Sequence, residues 1–491
     1  MGQERAPLVE AIRRYHADGT ARFHMPGHKG GRAGGGTLRR ALGRAPFAFD
    51  VTGVPGLDDL HEPSGVIAEA QCLAARAFGA DQTYFLVNGT SAGVIAMIVA
   101  ACPPGQKIII GRNMHKSALA GIILCGGHPV YVAPVVDDGL GIAHGVRPRD
   151  VAAALGAHPD AAAVALVSPT YYGAVSDLAA IAALAHARGK PVLVDEAHGA
   201  HFYFSRRLPA GALAAGCDVV AHGMHKVLGA FTQASALHVV GDRVDRSRVK
   251  KALQLIQSTS ASYLLLGSID AARRDAVRRG AAMAARALGL AAALRDGVRR
   301  LGRLGRLKTF GAERVGEPGV FALDPTKVTV SVRGLGILGP DAEAFLRRRH
   351  RIQVEMSDLF NVLFMVSGAN RAAEVRRVLR GLGDLARRPP SSTNSFSGHF
   401  VANGAPAAPP IPPLAALPRE AFFRPAAAVA LEQARGRVCA EAVTCYPPGI
   451  PVVCPGEVLT PEIVEYLSLI RRTGLRISGP ADRTLGTLRV L

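Results

Sequence analysis

The sequence predicts an α/β fold built around a doubly wound, mostly parallel β-sheet. Short apolar runs alternate with Ala-rich helical stretches between about Leu57 and Val240, which is the pattern of successive βαβ units. The apolar runs are continuous, as expected for strands that are buried on both faces. Polar residues follow several of these runs, at the sheet edge where proteins of this class bind ligands.

The predicted elements follow one another along this region. Strands are predicted at YFLVN, KIIIGR, PVYVAP, AAVALVSP, PVLVDEAH and DVVAHG, and helices at SAGVIAMIVAAC, HKSALAGIILCG and LAAIAALAHARGK. Most of the strands, each about four to six residues long, close on a polar or Gly-containing turn. The polar residues at the strand ends are Asn88, His115, Ser168, Asp195, His198, His225 and Lys226. Their concentration at strand ends is the first indication of a functional site.

Composition and pattern divide the chain into five parts: residues 1–56, 57–248, 249–386, 387–413 and 414–491. The first is an N-terminal segment that starts with a short amphipathic helix, and the second is the large α/β domain. The third combines a long helical stretch, from about Val249 to Leu307, with a small α+β domain containing KVTVSVRG and NVLFMVSG. The fourth is a linker rich in Pro, Ser, Gly and Ala, and the last is a small C-terminal domain.

Composition also narrows the class of protein. The net charge of the 491 residues is +20, but the arginines are spread over amphipathic helices without interleaved aromatics, so specific nucleic-acid binding is not expected. No apolar run approaches the ~20 residues of a membrane span, and the N-terminus lacks a signal-peptide core. We therefore expect a cytoplasmic protein. The seven cysteines form no C-x-x-C pair, so we expect buried free thiols and no metal site.

Four features of the large domain carry chemistry. NGTSAG, from Asn88, lies between a strand and a small-residue helix, where backbone N–H groups bind anions; an ordinary capping turn is the alternative. His115 and Asp195 each follow or end a strand, and each has an ordinary structural explanation, Asp195 as a helix N-cap. Lys226 stands among small and apolar residues in AHGMHKVLGAFTQAS, an unusual setting for a lysine.

One cofactor uses all four features. Pyridoxal phosphate (PLP) requires an anion cradle for its phosphate, a flat partner for its ring and a carboxylate at its pyridine nitrogen. It also requires a lysine for covalent attachment. The carboxylate keeps the ring nitrogen protonated, and a lysine held near a cation or away from water is the better amine nucleophile.

The chain resembles the fold-type-I PLP-dependent decarboxylases of the ornithine/lysine/arginine family, and most closely their shorter bacterial form. Nearly the whole chain takes part in the resemblance. The blocks FHMPGHKGG, HKVLGAFTQAS and YPPGIP are specific to the decarboxylases, whereas NGTSAG and VDEAHGAHF are more general to the fold type. The resemblance implies an aspartate-aminotransferase-like fold and decarboxylation of a basic L-amino acid to an amine and CO2.

The resemblance also implies a role for individual residues. Lys226 matches the Schiff-base lysine, Asp195 the aspartate at the pyridine nitrogen, and His115 the residue stacked on the ring. His198 matches a position near the phenolic oxygen, and His225 lies near the phosphate region and is a candidate proton donor. The phosphate residues are Gly89, Thr90 and Ser91. Ser258–Ser260 matches a segment that reaches a neighbouring subunit's site, because family members are homodimers or larger assemblies with shared sites.

One position departs from the family pattern. The family block usually reads S-x-H-K, in which the serine helps to hold the phosphate, whereas this chain has Gly223-Met224-His225-Lys226. Losing one hydroxyl donor weakens cofactor binding by about 1–3 kcal/mol if nothing replaces it. His222 or a water molecule is a candidate replacement. The departure leaves open a catalytically inactive homologue, although Lys226, Asp195 and His115 are all present.

The substrate is expected to be arginine first, then lysine, then ornithine, an order that rests on the resemblance. A cationic side chain requires an acidic partner, and Glu355 with Asp358 are the candidates in the small domain; a strand-end acid and a helix cap are the alternative explanation. Asp58, Asp59 and Glu62 in GLDDLHEP are rivals. Another fold-type-I enzyme, such as an aminotransferase or lyase, is the alternative function.

Overall fold

The computed structural model of the protein describes residues 2–33, 36–302, 306–388, 409–446, 450–473 and 476–491. The strands are, in chain order, β1 (Gln82–Leu86), β2 (Lys107–Gly111), β3 (His128–Val132), β4 (Val136–Asp137), β5 (Ile142–Ala143), β6 (Ala163–Val167), β7 (Ala174–Val175), β8 (Val192–Asp195), β9 (Val219–His222), β10 (Ser235–Val239), β11 (Lys308–Thr309), β12 (Ala322–Leu323), β13 (Lys327–Ser331), β14 (Met356–Ser357), β15 (Asn361–Met365), β16 (Ala427–Ala430), β17 (Val443–Tyr446), β18 (Ile450–Val453), β19 (Arg476–Ser478) and β20 (Thr487–Val490).

The helices are, again in chain order, α1 (Pro7–Ala17), α2 (Thr37–Leu42), α3 (Ala45–Phe49), α4 (Val66–Phe78), α5 (Gly89–Ala101), α6 (Lys116–Cys125), α7 (Pro148–Ala157), α8 (Leu178–His186), α9 (Met224–Val227), α10 (Arg246–Ile256), α11 (Tyr263–Leu301), α12 (Gly339–His350), α13 (Ala372–Arg387), α14 (Pro418–Phe423) and α15 (Pro461–Thr473). The chain forms two compact units. The first comprises Met1–Ala101, Gly189–Arg206 and Ala210–Ala281, and the second comprises Cys102–Arg188, Arg207–Pro209 and Ala282–Leu491.

The first unit contains four sheet strands in the order β1-β10-β9-β8. Strands β8 and β9 run parallel, with Asp195 opposite Ala221, whereas β10 is antiparallel to both of its neighbours. Helix α5 packs across β9 and β10. A Cβ at Gly93 of α5 would lie 2.7 Å from Leu86 Cδ1 and 3.5 Å from Ala221 Cβ, so this glycine allows the helix to approach the sheet closely.

The N-terminal helix of the first unit is held by buried polar groups of α11. The predicted amphipathic helix is confirmed as α1, and its Leu8 is buried. The backbone N–H of Leu8 donates to Asp270 Oδ2 at 3.0 Å. Arg273, fully buried, donates to Asp270 at 2.6 Å and to the carbonyl oxygens of Gln3 and Arg5 at 2.7 and 2.6 Å. The carboxylate of Asp270 and both Nη groups of Arg273 are therefore paired inside the unit, as burial requires.

The second unit contains the parallel strands β6-β2-β3. A separate antiparallel sheet, β11-β13-β15-β14, forms a core with α12, α13 and the C-terminal part of α11, including Val328, Leu346 and Leu382. Beyond residue 409, β16 pairs with β20 and β17 pairs with β18 and β19. Helix α15 packs on a core that includes Leu459, Ile463 and Leu467.

A buried ion pair joins β2 to the C-terminal part of the second unit. Arg112, the residue after β2, donates from Nη1 to Glu457 Oε1 at 2.5 Å and from Nη2 to Oε2 at 2.8 Å. Its guanidinium lies 4.5 Å above the ring of Tyr131 in the neighbouring strand β3. The pair is buried, and Glu457 is fully inaccessible to solvent. The two parallel bonds make the contact bidentate, which is the strongest form of an Arg–carboxylate contact.

The sequence predictions for the large domain are largely confirmed. All six predicted strands are present, as β1, β2, β3, β6, β8 and β9, and the three predicted helices are α5, α6 and α8. Strand β10 was not predicted; its buried His238 interrupts the apolar run. The fold is α/β with a mostly parallel central sheet, as predicted.

The helical stretch predicted from about Val249 to Leu307 consists of two helices, α10 and α11, with a break between them that the sequence analysis did not predict. Gln257 lies at the break and is buried. Its side-chain oxygen accepts from the Val87 N–H at 2.9 Å and its amide donates to the Phe85 carbonyl at 3.3 Å. These contacts with β1 hold the chain in a non-helical conformation that sequence periodicity does not reveal.

The remaining sequence predictions concern the linker, the C-terminal motif, the cysteines, and metal or membrane sites. The predicted linker 387–413 lies mostly outside the described residues, as does the centre of YPPGIP; the predicted domain boundaries remain predictions. Among the described cysteines, five are buried and free as expected, whereas Cys72 is exposed, which corrects the expectation for that thiol. Within the described ranges no group of His, Cys, Asp and Glu is arranged for a metal ion. No described helix is long and apolar enough to cross a bilayer.

The buried Arg273 provides a test of how the N-terminal helix is attached. We expect Arg273→Ala to lower the free energy of unfolding by about 3 kcal/mol, because it leaves the buried carboxylate of Asp270 without its ion-pair partner and removes a donor from two carbonyl groups. Urea denaturation followed by circular dichroism measures this change. Arg279→Ala, at an exposed position of the same helix, is the control and should change stability by about 0.5 kcal/mol or less. Equal effects of the two substitutions would contradict the assignment.

Candidate active site

Lys226 lies in α9, directly after β9, and is half-buried. Its backbone N–H donates to the Gly223 carbonyl at 3.0 Å. Its amine nitrogen lies 2.9 Å from His198 Nε2. This contact places the amine beside the loop that follows β8, so the two parallel strand ends contribute to one site.

Asp195 is the last residue of β8 and is only 8% exposed. Its Oδ1 accepts from the N–H of Ala197 at 3.1 Å, a local turn of the kind aspartate forms with the residue two positions on. No helix begins at this point of the structure, so the helix N-cap considered from the sequence is wrong. His198, three residues later, is buried and contacts Lys226 as described above.

The predicted phosphate residues lie at the N-terminus of α5. Gly89 has a φ of +75°, which favours glycine, and its N–H donates to the Gln233 carbonyl at 3.0 Å. Thr90 is buried and its Oγ1 lies 3.0 Å from Ser235 Oγ, whereas Ser91 is exposed. Sequence reasoning missed Ser235, because it begins the unpredicted strand β10.

The structure accounts for the glycine that departs from the family pattern. A Cβ at Gly223 would lie 2.7 Å from the Ala197 carbonyl oxygen and 3.1 Å from Thr90 Oγ1. The first distance is too short for a side chain unless the backbone shifts. The hydroxyl of Thr90 thus occupies space beside this position. His222, one of the candidate replacements, is fully buried and its Nε2 lies 2.7 Å from Glu196 Oε2, so this nitrogen already has a partner.

His225 is half-buried, and its Nδ1 lies 3.0 Å from the Ala234 carbonyl oxygen. Because a carbonyl only accepts, Nδ1 carries the proton, and Nε2 of the neutral ring then has a free electron pair. Burial lowers the pKa of His225, and the adjacent Lys226 lowers it further. The ring is therefore neutral at pH 7 and able to accept a proton at Nε2.

His115 lies in the second unit, as the N-cap of α6. Its Nδ1 accepts from the Ser117 N–H at 3.2 Å and lies 2.8 Å from Ser117 Oγ. These contacts hold the ring in one orientation. The stacking role implied by the family resemblance stays a prediction.

The two acids considered for the substrate differ in their surroundings. Asp358 is buried, and its carboxylate accepts from Tyr172 at 2.8 Å, from Asn361 Nδ2 at 2.8 Å, and from the N–H groups of Phe360 and Asn361 at 2.9 and 2.8 Å. This geometry favours the alternative that Asp358 holds a turn. Glu355 is exposed and remains the better candidate for a substrate cation.

The rival acids near Asp58 also have local partners. Asp58 caps the start of α4 by accepting from the N–H groups of Gly65 and Ile67 at 2.7 and 2.9 Å. Its backbone hydrogen bonds outweigh burial and lower its pKa. Glu62 pairs with Lys250 at 2.5 Å. Asp58 and Glu62 therefore have structural partners in the first unit.

A lysine that directly follows one parallel strand, beside an adjacent strand that ends on an aspartate, is the arrangement of fold-type-I PLP enzymes. Comparison of the sequence with known protein families narrows this class. The family model for the major domain of Orn/Lys/Arg decarboxylases matches residues 6–374, and the model for their C-terminal domain matches residues 409–489. The chain therefore belongs to the Orn/Lys/Arg decarboxylase family and is a PLP-dependent decarboxylase of basic amino acids.

Individual relatives agree with this assignment. The arginine decarboxylase of Bacillus subtilis is 39% identical over 491 residues, which is 100% of this chain and 99% of that protein. The arginine decarboxylase of Halalkalibacterium halodurans is 40% identical over 100% of this chain and 98% of its own. The solved constitutive lysine decarboxylase of Escherichia coli superposes with a TM-score of 0.83 at 23% identity, covering 99% of this chain and 82% of that one, which shows the shared fold.

Position 223 gives a test of the site geometry. We expect both Gly223→Ala and Gly223→Ser to weaken PLP binding about tenfold, because any Cβ there meets the Ala197 carbonyl. Thr90→Val should also weaken binding, since it removes a hydroxyl and keeps the shape of the side chain. Absorbance titration of the apoprotein with PLP measures the dissociation constants. Tighter binding by Gly223→Ser than by the unchanged protein would contradict this account.

Asp358 gives a test by pH. Burial raises its pKa from 3.8 to about 6, so the folded state keeps a proton that the unfolded chain loses above pH 3.8. Its contribution to stability is therefore complete below pH 3.8 and is lost as pH rises to about 6, a loss of up to about 3 kcal/mol. We expect Asp358→Asn to reduce the decline in urea midpoints measured from pH 4 to 6 by the contribution of this one group. A decline of the same size in the variant would contradict the assignment.

Proposed function

We propose that the protein binds PLP through Lys226 and converts arginine to the corresponding amine and CO2. The observation that supports the cofactor site best is the 2.9 Å contact between the Lys226 amine and His198, beside the strand that ends on Asp195. The residues fit the cofactor. The Lys226 amine can form the covalent bond to it, and the Asp195 carboxylate can bind its ring nitrogen. The N-terminus of α5, with the hydroxyls of Thr90 and Ser91, can bind its phosphate.

In this proposal each residue has a defined task. When bound, PLP supplies an electron sink for the electron pair left by departing CO2. The carboxylate of Asp195 holds the proton on the ring nitrogen, which keeps that sink effective. Lys226 anchors the cofactor and yields its place to the substrate amine. His198 contacts Lys226 and holds its amine in place. Lys226, or His225 after its Nε2 has taken up a proton, delivers the proton that replaces CO2 at the substrate Cα.

Arginine is the first candidate substrate, followed by lysine and ornithine. The support comes from full-length relatives named arginine decarboxylase at 39 and 40% identity. Glu355, as an exposed carboxylate, is the candidate partner for the substrate cation. A carboxylate forms paired hydrogen bonds with a guanidinium and a single-point contact with an ammonium, so Glu355→Gln is expected to affect arginine more than lysine.

We further propose that the protein acts in the cytoplasm as a homodimer or larger homo-oligomer. Large apolar side chains are exposed on the first unit: Phe23 by 96%, Met25 by 58%, Phe231 by 58% and Leu255 by 85%. Exposed apolar groups of this kind favour burial against another protein surface. A second copy of the chain is the partner that the family resemblance implies.

One experiment tests the cofactor and the substrate together. We expect the purified protein with added PLP to show the visible absorbance band of lysine-bound PLP, and to release CO2 fastest from arginine among arginine, lysine and ornithine. Lys226→Ala should abolish the band and lower CO2 release by a factor on the order of 10³ or more. Lys251→Ala, at an exposed lysine, is the matched control.

The outcomes separate the parts of the proposal. A band without CO2 release from any of the three amino acids would contradict decarboxylation of these substrates and favour transamination or another substrate. Fastest release from lysine or ornithine would overturn the choice of arginine. A band that persists in Lys226→Ala would show that another residue anchors the cofactor.

A further inference from the structure

Glu196 and His222 form a buried hydrogen-bonded pair next to the proposed cofactor residues. Glu196 directly follows Asp195 and is 1% exposed, and His222 is the fully buried last residue of β9. Glu196 Oε2 lies 2.7 Å from His222 Nε2. Neither residue has a task in the function proposed above, yet burying two titratable groups is unfavourable unless their bonds compensate.

The carboxyl group of Glu196 is held by two further donors. The hydroxyl of Tyr203 donates to Oε2 at 2.6 Å, and the N–H of Ala212 donates to Oε1 at 2.9 Å. The ring of His222 packs at 5.0 Å from both Tyr203 and Phe78, measured between ring centres. The side chains therefore have one orientation, which allows the pair to determine the positions of the backbones that carry it.

Both partners lie where the regular pairing of β8 and β9 ends. The N–H of Glu196 donates to the Ala221 carbonyl at 3.0 Å, and the N–H of Gly223 donates to the Ala197 carbonyl at 3.3 Å. The bond between the two side chains is a third link between the same two chain ends. Asp195 lies one residue before Glu196, at the end of β8, and Lys226 lies four residues after His222, in the segment that follows β9.

The charge of the pair favours a structural link between the ends of β8 and β9 over a role in proton transfer. Burial raises the pKa of Glu196 to about 8, although the bonds from Tyr203 and Ala212 oppose this. Burial also lowers the pKa of His222 to about 3. At neutral pH the pair is therefore uncharged, with one proton on the carboxyl group. An uncharged pair joins the strands without placing a buried charge beside Asp195.

We propose that Glu196 and His222 are positioning residues, whose hydrogen bond aligns Asp195 and His198 with the amine of Lys226. The inference rests on the proposed function, because it concerns how that site is held. Loss of the bond moves the strand ends relative to each other, which weakens cofactor binding by more than the general loss of stability explains. A purely packing role would lower stability and leave cofactor affinity unchanged.

The test compares two substitutions at the same position. Glu196→Met keeps the length of the side chain but removes its hydrogen bonds, whereas Glu196→Gln keeps an acceptor for Ala212 and a donor for His222. We expect Glu196→Met to raise the dissociation constant for PLP about tenfold or more, and Glu196→Gln to restore it to within about threefold of the unchanged protein. Absorbance titration with PLP and the melting temperature of the apoprotein are measured for each.

Two controls separate positioning from stability. Thr83→Val removes the 2.8 Å bond between Thr83 Oγ1 and His238 Nδ1, which lies in the same ring cluster but does not join β8 to β9. Arg273→Ala removes a buried network near the N-terminal helix. Both should lower the melting temperature and leave the dissociation constant for PLP within about twofold of the unchanged value.

The outcomes are distinct. If Glu196→Met lowers the melting temperature but binds PLP as tightly as the two controls, the positioning role is overturned. If Glu196→Gln weakens binding as much as Glu196→Met, the bond does not determine the alignment. If Glu196→Met does not fold, Tyr203→Phe, which removes one donor and keeps the ring, is expected to weaken binding about threefold, and unchanged binding would overturn the proposal. If the unchanged protein forms no lysine-bound PLP band, the proposed function itself is wrong.

Discussion

The parallel alignment of β8 with β9 is the constraint on which the rest of the site depends. Because parallel strands end at the same edge of a sheet, the register that sets Asp195 opposite Ala221 also brings the loop containing His198 beside Lys226. A slip of one residue would turn every side chain of the slipped strand to the other face of the sheet. The close contacts at Gly223 and the Glu196–His222 pair act at this same junction.

Buried polar pairs connect segments that are distant in the chain. In the first unit, Arg273 holds the chain before α1 through two carbonyl oxygens. In the second unit, Arg112 and Glu457 join the end of β2 to a segment more than three hundred residues away. In each case both Nη groups of the arginine donate hydrogen bonds to protein acceptors, and such bonds are the condition under which burial of charge is tolerated. Such pairs specify which segments meet, whereas apolar packing alone is less selective.

The predicted strands and helices were mostly correct because continuous apolar runs and the Ala-rich stretches between them are local features of the sequence. The failures share a physical cause. The break at Gln257 depends on bonds to β1, and β10 contains a buried histidine whose partner, Thr83, lies on another strand. Asp358 had two explanations from the sequence, and the four groups that donate hydrogen bonds to its carboxylate favour the structural one. Long-range contacts decided each case, and no local pattern contains them.

The sequence by itself determined the α/β class, the positions of most strands along the chain and the family, because apolar runs and residue blocks are local properties. It also singled out Lys226, Asp195 and His198 through their positions at strand ends. Only the tertiary structure decided that Lys226 meets His198, that Ser235 lies beside Thr90, and that Gly223 has no room for a side chain. These facts depend on distances between segments that are remote in the chain, and folding alone sets those distances.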